Sequence, residues 1–376
     1  MKAGVALIFI SLLFLGNSQV MNVGVLHAQK VKRVLIKYNK GTYHIKGDGT
    51  QISSLTYGKK VEIAFLNNQL QVKVDNVVQG SYDEVAISGS GSVIMTSLSP
   101  SVRERKYEDG FVIKVINGRM TIVNRVSMEN YLCGVLESEA GGGRHEEYYK
   151  VQSLLSRTYA LRNIQRHKKD GFSVCDGVHC QAYHNMLRFT PEIRTAVRST
   201  KGEVLVNGSN KLVTTYFSAN CGGQVCDASH VWNNSVAHVE TFKDTFCIHS
   251  KQSTWTKKVK QSSWRSFLVN EYGYPVQDTN MNRRIYDFVQ FDRKAFYIHP
   301  SLGIPLRDLR SKFNLKSTFF STHPEGDYVI INGHGFGHGV GLCQEGAMSM
   351  AKRGYVYRQI ALYYFTGLTV RQYSKQ

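Results

Sequence analysis

Short runs of alternating apolar and polar residues, separated by Gly and Asn, occupy the chain from residue 29 to residue 124. Such runs cover residues 34–38, 61–65, 70–74 and 111–123. A period of two is typical of strands that bury one face. Asn117-Gly118 lies inside the last run, and this dipeptide favours a tight hairpin turn. We therefore predict a β-rich N-terminal domain over residues 29–124.

The spacing of apolar residues changes in the segment 131–161, around which we take the rest of the chain to be organised. Its first part is apolar and ends at two acids, Glu137 and Glu139, before a glycine triplet. Glu146 and Glu147 then favour a helix start, because the helix dipole stabilises negative charge there. A 3.6-residue period places five residues on one buried arc: Val151, Leu154, Leu155, Thr158 and Leu161.

The remaining pattern predicts an α+β fold, in which a mixed core follows the β-rich domain. Residues 125–250 form the first half of this core, with a short helix at 191–199 and a hairpin whose turn is Asn207-Gly208. Residues 251–325 read as an inserted helical segment. Residues 326–376 complete the core with a strand, a glycine-rich run at 333–346 and two helices that end near Gly354 and Gly367.

The N-terminus has the features of an export signal. Lys2 precedes an apolar run at 5–15, and small and polar residues follow it up to Ala28. Eleven apolar residues are too few to span a bilayer, so we predict a signal peptide over residues 1–28 that is cleaved after Ala28. We therefore expect an exported protein, periplasmic or extracellular; an uncleaved anchor is the alternative.

The charge is strongly positive: 47 Lys and Arg against 28 Asp and Glu give a net charge of +19. Nucleic acid is the usual partner of such a chain, but an exported protein rarely meets it and no nucleic-acid-binding motif is present. Anionic envelope material, such as peptide-stem carboxylates, teichoic acids or lipid head groups, is one counterpart. A generally basic soluble surface is the other explanation.

The residues around Glu139 carry a family resemblance. The pattern Tyr131-Leu132-x-Gly134-Val135-Leu136-x-x-Glu139, followed by Lys150-x-Gln152 and Arg157-Thr158-Tyr159-Ala160, resembles the stage II sporulation protein D family (SpoIID/LytB). Its best-known members are lytic transglycosylases of peptidoglycan. The family usually continues its acid with Met-Pro, where this chain has Ala140 and the glycine triplet. From the residues alone, a capping or salt-bridged Glu is the favoured interpretation of Glu139, and Glu137 is a rival acid.

The resemblance implies a single catalytic acid and a set of substrate-binding residues. Glu139 would protonate the glycosidic oxygen and then accept a proton as a 1,6-anhydro ring closes, for which a raised pKa is required. The implied substrate-binding residues are Lys150, Gln152, Arg157, Gln181, Tyr183, Tyr216, Ser218, Asn220, His338 and Gln344. The alternatives are a solvated helix edge for Lys150 and Arg157, a polar strand end at 216–220, and a glycine-rich turn that packs under a helix at 338–346.

A Cys/His-rich loop follows the central helix. Cys175, His179 and Cys180, with His167 nearby, supply the ligand types of a tetrahedral zinc site, although the spacing is not that of a standard zinc ribbon. We expect a structural zinc ion there and no organic cofactor. A Cys175–Cys180 disulfide or free thiols are the alternatives. The resemblance further implies a Cys221–Cys247 disulfide, which would leave Cys133 and Cys343 reduced.

The leading hypothesis is therefore an exported enzyme that cleaves the MurNAc–GlcNAc bond of peptidoglycan glycan strands without hydrolysis. The alternative from another class is a non-catalytic wall-binding enhancer of an amidase, since some relatives of this family are described in that way. Other cell-wall hydrolases or amidases would then be partners. A metal-dependent hydrolase that uses the Cys/His loop lacks an evident activated-water partner.

Overall fold

A computed structural model describes residues 19–373 of the chain. The chain divides into two compact units, residues 1–131 and residues 132–376. The predicted α+β fold class is confirmed, because a β-rich first unit precedes a second unit that mixes helices and short strands. The apolar run of the predicted signal peptide lies outside the described residues. None of the helices in residues 19–373 combines the length and apolar character that a membrane crossing requires.

The first unit is an antiparallel β structure over residues 19–131. Its strands are β1 Val20–Gly24, β2 Arg33–Gly47, β3 Thr50–Leu55, β4 Lys60–Leu66, β5 Gln69–Val74, β6 Val77–Tyr82, β7 Glu84–Ser99, β8 Ser101–Glu108, β9 Gly110–Ile116 and β10 Arg119–Ser127. They pair in the order β1-β10-β9-β7-β2-β4-β5-β6, with β3 also on β2 and β8 also on β7. Leu70 and Val72 on β5 are fully buried between less buried neighbours, as the alternation predicts.

The predicted hairpin turn is confirmed. Asn117 and Gly118 join β9 to β10 and have φ angles of 51° and 67°. A two-residue turn with both central residues at positive φ matches the right-handed twist of the flanking strands, which is why Asn-Gly favours it.

Strand β1 changes the predicted N-terminal boundary. Val20 to Gly24 pair with β10 from Ser127 to Val123, and Met21 and Val23 are fully buried. Cleavage after Ala28 would remove this strand from the core of the first unit. Among the described residues, the first unit therefore includes Val20–Gly24, which lie upstream of the predicted boundary at Ala28.

The second unit contains most of the helices. The helices in chain order are α1 Met128–Ala140, within which the two units divide, α2 Glu146–Arg162, α3 Glu192–Ser199, α4 Ser229–Trp232, α5 Gln261–Tyr272, α6 Thr279–Arg284, α7 Leu306–Lys312, α8 Gln344–Lys352 and α9 Tyr357–Tyr364. The strands are β11 Val174–Cys175, β12 Glu203–Val206, β13 Phe217–Ser218, β14 Thr254–Lys260, β15 Phe320–Glu325, β16 Tyr328–His334, β17 Leu342–Cys343 and β18 Thr369–Gln372.

Helix α2 is the centre of this unit. The predicted arc is buried, but so is nearly every other side of the helix, including Gln152, Ser153 and Arg157. Helices α3, α8 and α9 and strand β12 surround it. A helix that is covered on all sides requires its polar side chains to find partners inside the protein.

The strand pairings differ from the predicted hairpin at 203–217. Strand β12 pairs along its length with β18, and only Val206 bridges Leu212 across the Asn207-Gly208 turn. Strand β13 instead pairs in parallel with β17. The first and last parts of the core are thus joined by strand pairs, which brings residues 217–218 beside residues 342–343.

The predicted insertion is not purely helical. Strands β14, β16 and β15 form an antiparallel sheet in that order, so the strand at 328–334 belongs to the inserted segment. Helices α5 and α7 supply Trp264, Leu268 and Leu309 to a separate apolar cluster with this sheet.

Candidate active site

A cavity of about 900 Å³ lies in the second unit. It is lined by the end of α1, by α2, by the Cys/His loop, by the segment around β13 and by the glycine-rich run before α8. The lining residues are Glu139, Tyr159, Asn163, Arg166, Val178, His179, Cys180, Gln181, Thr214, Thr215, Tyr216, Phe217, Ser218, Ala219, Trp232, Arg310, Phe336, Gly337, His338 and Gln344. A pocket of this size accommodates a ligand of several rings.

Glu139 stands at the penultimate position of α1 and faces this cavity. Its Oε1 accepts a hydrogen bond from the backbone N–H of Ala182 at 2.6 Å. Burial raises the pKa of the Glu139 carboxyl above 4.5, and the hydrogen bond from Ala182 only partly opposes this. Within the described lining, Glu139 is the single carboxylate. Its burial favours the protonated carboxyl more than solution does for a free glutamic acid.

The rival acid Glu137 has a structural role. Its carboxylate accepts three backbone N–H groups, from Arg188 at 2.9 Å, Phe189 at 2.8 Å and Thr190 at 3.0 Å. The cavity lining does not include it. Glu137 therefore anchors a loop, whereas Glu139 lines the cavity.

Gly134 explains how α1 comes close to the Cys/His loop. A Cβ at this position would lie 2.3 Å from the carbonyl oxygen of Asn185 and 2.5 Å from the Tyr183 ring. Only glycine allows this approach. Tyr183, which the resemblance implies as a substrate-binding residue, is fully buried against the helix and is not part of the cavity lining.

One wall of the cavity is aromatic. The Tyr216 and Trp232 rings stack with centroids 4.4 Å apart, and the His338 ring lies 5.2 Å from Trp232. Ser218 Oγ accepts the backbone N–H of Gly339 at 3.2 Å. The predicted residues Tyr216, Ser218 and His338 thus share one face, which presents ring surfaces and a hydroxyl to the cavity.

His338 is a neutral imidazole. Burial, with the nearby Arg310 and Arg293, lowers the pKa of His338 to about 4. Its Nδ1 accepts the backbone N–H of Val340 at 3.0 Å, which fixes the ring beside the aromatic wall. A histidine in this state can orient a ligand by hydrogen bonding but carries no charge at neutral pH.

Gln181 and Gln344 also line the cavity, as the resemblance implies. Gln181 donates through Nε2 to the carbonyl oxygen of Ser156 at 3.2 Å. Gln344 is the first residue of α8 and is 8% exposed. The glycine-rich run before it approaches the protein backbone closely, because a Cβ at Gly341 would lie 2.3 Å from the Tyr216 carbonyl oxygen.

Helix α2 carries three of the substrate-binding residues that the resemblance implies, and none of them lines the cavity: Lys150, Gln152 and Arg157. Lys150 pairs with Glu146 and Glu147, each at 2.8 Å. Arg157 is buried and donates to the carbonyl oxygens of Glu203 at 3.2 Å and Val197 at 3.3 Å. Both residues therefore make structural contacts. For Lys150 these contacts match the alternative of a helix-edge residue, whereas Arg157 is buried.

Gln152 and Asn220 are likewise inside the protein. Gln152 is fully buried, and its side-chain amide makes no hydrogen bond to the described residues. Asn220 donates to Ser250 Oγ and to Glu345 Oε2, both at 2.7 Å, and is not part of the cavity lining. Asn220 therefore holds α8 to the segment after β13.

The Cys/His loop brings all four predicted metal ligands together. The ligand atoms of His167, Cys175, His179 and Cys180 lie within 4.8 Å of one another. His167 Nε2 is 3.5 Å from Cys180 Sγ, and His167 Nδ1 is 2.9 Å from Asp170 Oδ2. A carboxylate behind a metal-binding histidine is a common device that fixes the ring. The donor set and its support fit a zinc ion.

Several residues in the cavity were not predicted from the sequence. Trp232 is 40% exposed on α4, Arg310 comes from the inserted segment, and Arg166 donates to Tyr159 Oη at 2.7 Å. The stretch around Arg310 is visible in the sequence as an amphipathic helix, but nothing there signals its approach to the cavity. Together the two arginines make the cavity suitable for a ligand with negative charge.

Comparisons with known proteins identify sequences similar to this chain. Residues 116–207 match the family model described as SpoIID, stage II sporulation protein. The chain is 28% identical to an uncharacterized protein of Brachyspira hyodysenteriae, over 92% of this chain and 94% of that one. It is 26% identical to the stage II sporulation protein D of Bacillus subtilis, over 66% of this chain and 76% of that one. An amidase enhancer of Bacillus subtilis is also 26% identical, over 64% of this chain and 40% of that one.

Proposed function

Because the chain belongs to the stage II sporulation protein D family, we propose that it is an exported lytic transglycosylase of peptidoglycan. The observation that carries the proposal is the seating of Glu139 in the cavity, buried, with a raised pKa and with no second carboxylate among the described lining residues. Glycosidases that use water ordinarily require two carboxylates, one as acid and one as base or nucleophile.

One carboxylate is enough when the attacking group belongs to the substrate. The Glu139 carboxyl donates its proton to the glycosidic oxygen between MurNAc and GlcNAc. The bond between this oxygen and C1 of the MurNAc ring then breaks, and the oxygen leaves with GlcNAc. The C6 hydroxyl of the same ring then attacks C1, and its proton passes to the Glu139 carboxylate. The product carries a 1,6-anhydro bridge, and Glu139 returns to its protonated form.

The pH dependence of this step follows from the environment of Glu139. Burial raises the pKa of the Glu139 carboxyl, so this group stays partly protonated at pH values where a free glutamic acid is more fully ionised. Activity is then lost as the pH rises through the pKa of Glu139. His338, whose pKa is lowered to about 4, remains neutral throughout and does not limit this range.

The aromatic wall supports glycan binding. The exposed face of Trp232, stacked on Tyr216, is suited to the apolar face of a sugar ring. Arg166 and Arg310 are suited to the lactyl or peptide carboxylates of the glycan strand, because guanidinium groups bind carboxylates well.

We further propose that the four ligands of the Cys/His loop hold zinc. Two of them, His179 and Cys180, line the cavity, and Ala182 follows two residues later. When bound, zinc would supply a rigid cross-link of the loop. The loop itself then holds the Ala182 N–H towards Glu139, so the metal ligands position the acid without taking part in the chemistry.

The net charge of +19 agrees with a protein that works on anionic envelope polymers. Export follows from the N-terminal pattern of Lys2 and the apolar run, with cleavage upstream of β1 so that this strand is kept. The envelope is then both the compartment and the location of the substrate.

The second candidate is a non-catalytic enhancer of a wall amidase, which the similarity to an amidase enhancer favours. It is the weaker candidate because a binder has no requirement for a carboxyl with a raised pKa at the edge of a sugar-sized cavity. An enhancer would act through its surface, and the conversion of Glu139 to its amide would leave it unaffected.

Product analysis separates the candidates. Purified glycan strands, with and without stem peptides, are incubated with the protein and analysed by mass spectrometry. The proposal predicts 1,6-anhydro-MurNAc ends. Reducing ends would indicate hydrolysis and contradict the mechanism, and no cleavage combined with stimulation of an added amidase would favour the enhancer. Products from peptide-free strands alone would restrict the substrate to stripped glycan.

A further inference from the structure

A second cluster of metal-ligand type lies away from the cavity lining. Cys221, Asp244, Cys247 and Cys343 come from three separated parts of the second unit, and each is fully buried. Their sulfur and carboxylate oxygen atoms lie within 4.8 Å of one another. Three thiols and a carboxyl rarely converge in an interior without a ligand, because burial of a polar group is costly unless it is partnered.

The spacing of the cluster is that of ligands around one ion. Cys221 Sγ lies 3.4 Å from Cys247 Sγ and 3.3 Å from Asp244 Oδ2. Four ligands at zinc–sulfur distances of about 2.3 Å and zinc–oxygen distances of about 2.1 Å would stand roughly 3.5–3.8 Å apart in a tetrahedron. A disulfide would require the sulfur atoms at about 2.05 Å. The family resemblance implied such a disulfide between Cys221 and Cys247, but both cysteines are free here.

The surroundings of the cluster hold its ligand atoms in fixed positions. Tyr364 Oη donates to Asp244 Oδ2 at 2.9 Å. Cys343 Sγ accepts the backbone N–H groups of Cys221 at 3.2 Å and Gly346 at 3.4 Å, and Cys343 also caps the N-terminus of α8. Hydrogen bonds of this kind orient the ligands of a metal ion.

We propose that Cys221, Asp244, Cys247 and Cys343 form a second, closed zinc site. The preference is for zinc because thiolates with one carboxylate in a compact group suit a borderline-soft divalent ion that accepts four ligands. No position is open to the cavity, so the ion has a structural role. The proposal does not depend on the transglycosylase activity.

The site would fix one wall of the cavity. Cys221 follows β13, which carries Ser218, and Cys343 ends β17 and precedes Gln344. An ion held by both segments joins the parts of the core that the insertion separates in sequence. Loss of the ion would loosen the pairing of β13 with β17 and lower the stability of the second unit.

Metal analysis of the full chain tests the proposal. Protein is purified under reducing, oxygen-free conditions, and zinc is measured by inductively coupled plasma mass spectrometry. The variant Cys175→Ser/Cys180→Ser disables the loop site, and we expect it to retain one zinc ion per chain. Adding Cys343→Ser and Asp244→Asn should reduce this to none, whereas Cys226→Ala, which changes a buried cysteine outside both groups, should leave the stoichiometry unchanged.

A spectroscopic measurement decides the matter if the cluster variants do not fold. Cobalt(II) is exchanged into the Cys175→Ser/Cys180→Ser protein, in which the cluster is intact. Tetrahedral d–d bands together with thiolate-to-cobalt charge-transfer bands would support the proposal. The absence of zinc and of these bands in that protein would overturn it. A Cys221–Cys247 disulfide found by alkylation and mass spectrometry in the purified protein would also overturn it.

Discussion

Glu139 Oε1 and the backbone N–H of Ala182 lie 2.6 Å apart, and this contact joins the acid of the cavity to the Cys/His loop. Ala182 is two residues beyond Cys180, one of the four residues gathered at the candidate metal site. The position of the acid therefore depends on the conformation of a loop that has little secondary structure of its own. This dependence has measurable consequences.

Disabling the loop site should lower turnover. In Cys180→Ser the loop would no longer be held by a metal ion, so the Ala182 N–H would be displaced from Glu139. We expect kcat to fall on the order of 10–100-fold, the usual effect of losing a group that orients a site, with a smaller change in KM. Steady-state kinetics on glycan strands give both values. Cys226→Ala is the matched control, and full turnover by metal-depleted protein would refute the dependence.

Glu139→Gln should increase the stability of the protein at neutral pH. The folded-state pKa of Glu139 lies above the unfolded value of 4.5, so ionisation of the buried carboxyl destabilises the folded state above that pKa. Below pH 4.5 both states are protonated and the penalty disappears. Thermal unfolding of wild type and variant should therefore differ at pH 8 and converge at pH 4.

Glu137→Gln is the contrasting variant on the same helix. Its carboxylate accepts three backbone N–H groups, so the amide should lower the free energy of unfolding by about 1.5–3 kcal/mol at pH 8. If Glu139→Gln and Glu137→Gln destabilised the protein equally, the distinction drawn between the two acids would be wrong.

Arg157→Met should damage stability and leave substrate binding intact. Arg157 is buried and donates to two carbonyl oxygens, and removing it leaves these acceptors without a partner at a cost of about 3 kcal/mol or more. Lys150→Met, which removes only partly exposed ion pairs, should cost less than about 1 kcal/mol. Denaturant unfolding and KM are measured together. A raised KM with unchanged stability for Arg157→Met would show that the family-implied role in substrate binding is correct.

Trp232→Ala should weaken glycan binding without unfolding the protein. Its ring is 40% exposed and stacks on Tyr216 in the cavity wall, so its loss removes a stacking surface. We expect KM to rise roughly tenfold, equivalent to about 1.4 kcal/mol, and Trp232→Phe to restore most of the loss. Phe291→Ala, which removes an 86% exposed ring outside the cavity lining, is the control. An unchanged KM for Trp232→Ala would exclude the aromatic wall from binding.

Local patterns predicted local structure well. The period of 3.6 after Glu146 predicted α2, and Asn117-Gly118 predicted the β9–β10 turn, because neighbouring residues determine both features. The four candidate ligands of the Cys/His loop lie within 14 residues of sequence, so their residue types and their closeness along the chain were enough to predict the metal site. Glu139 was found through its position in a family pattern.

Contacts between distant segments were beyond the sequence. The sequence places Arg157 on a polar edge of α2, but in the structure α3 and β12 cover this edge. Cys343 contacts Cys221, 122 residues away in sequence, because β17 pairs with β13. Residues 20–24 fall within the predicted signal peptide because the small and polar residues up to Ala28 fit its cleavage region, and the pairing of β1 with β10 is not visible in the sequence. Trp232 lies on a four-residue helix, which is too short for a periodic pattern.

The central claim is that the Glu139 carboxyl transfers the proton, and single-residue kinetics test it most directly. The rate of 1,6-anhydro-MurNAc formation from purified glycan is measured for wild type, Glu139→Gln and Glu240→Gln, the last being an exposed acid outside the cavity lining. We predict that Glu139→Gln lowers kcat by at least about 100-fold with little change in KM, as loss of a general acid does, and that Glu240→Gln matches wild type. A Glu139→Gln protein that forms the anhydro product within a few fold of the wild-type rate would contradict the account.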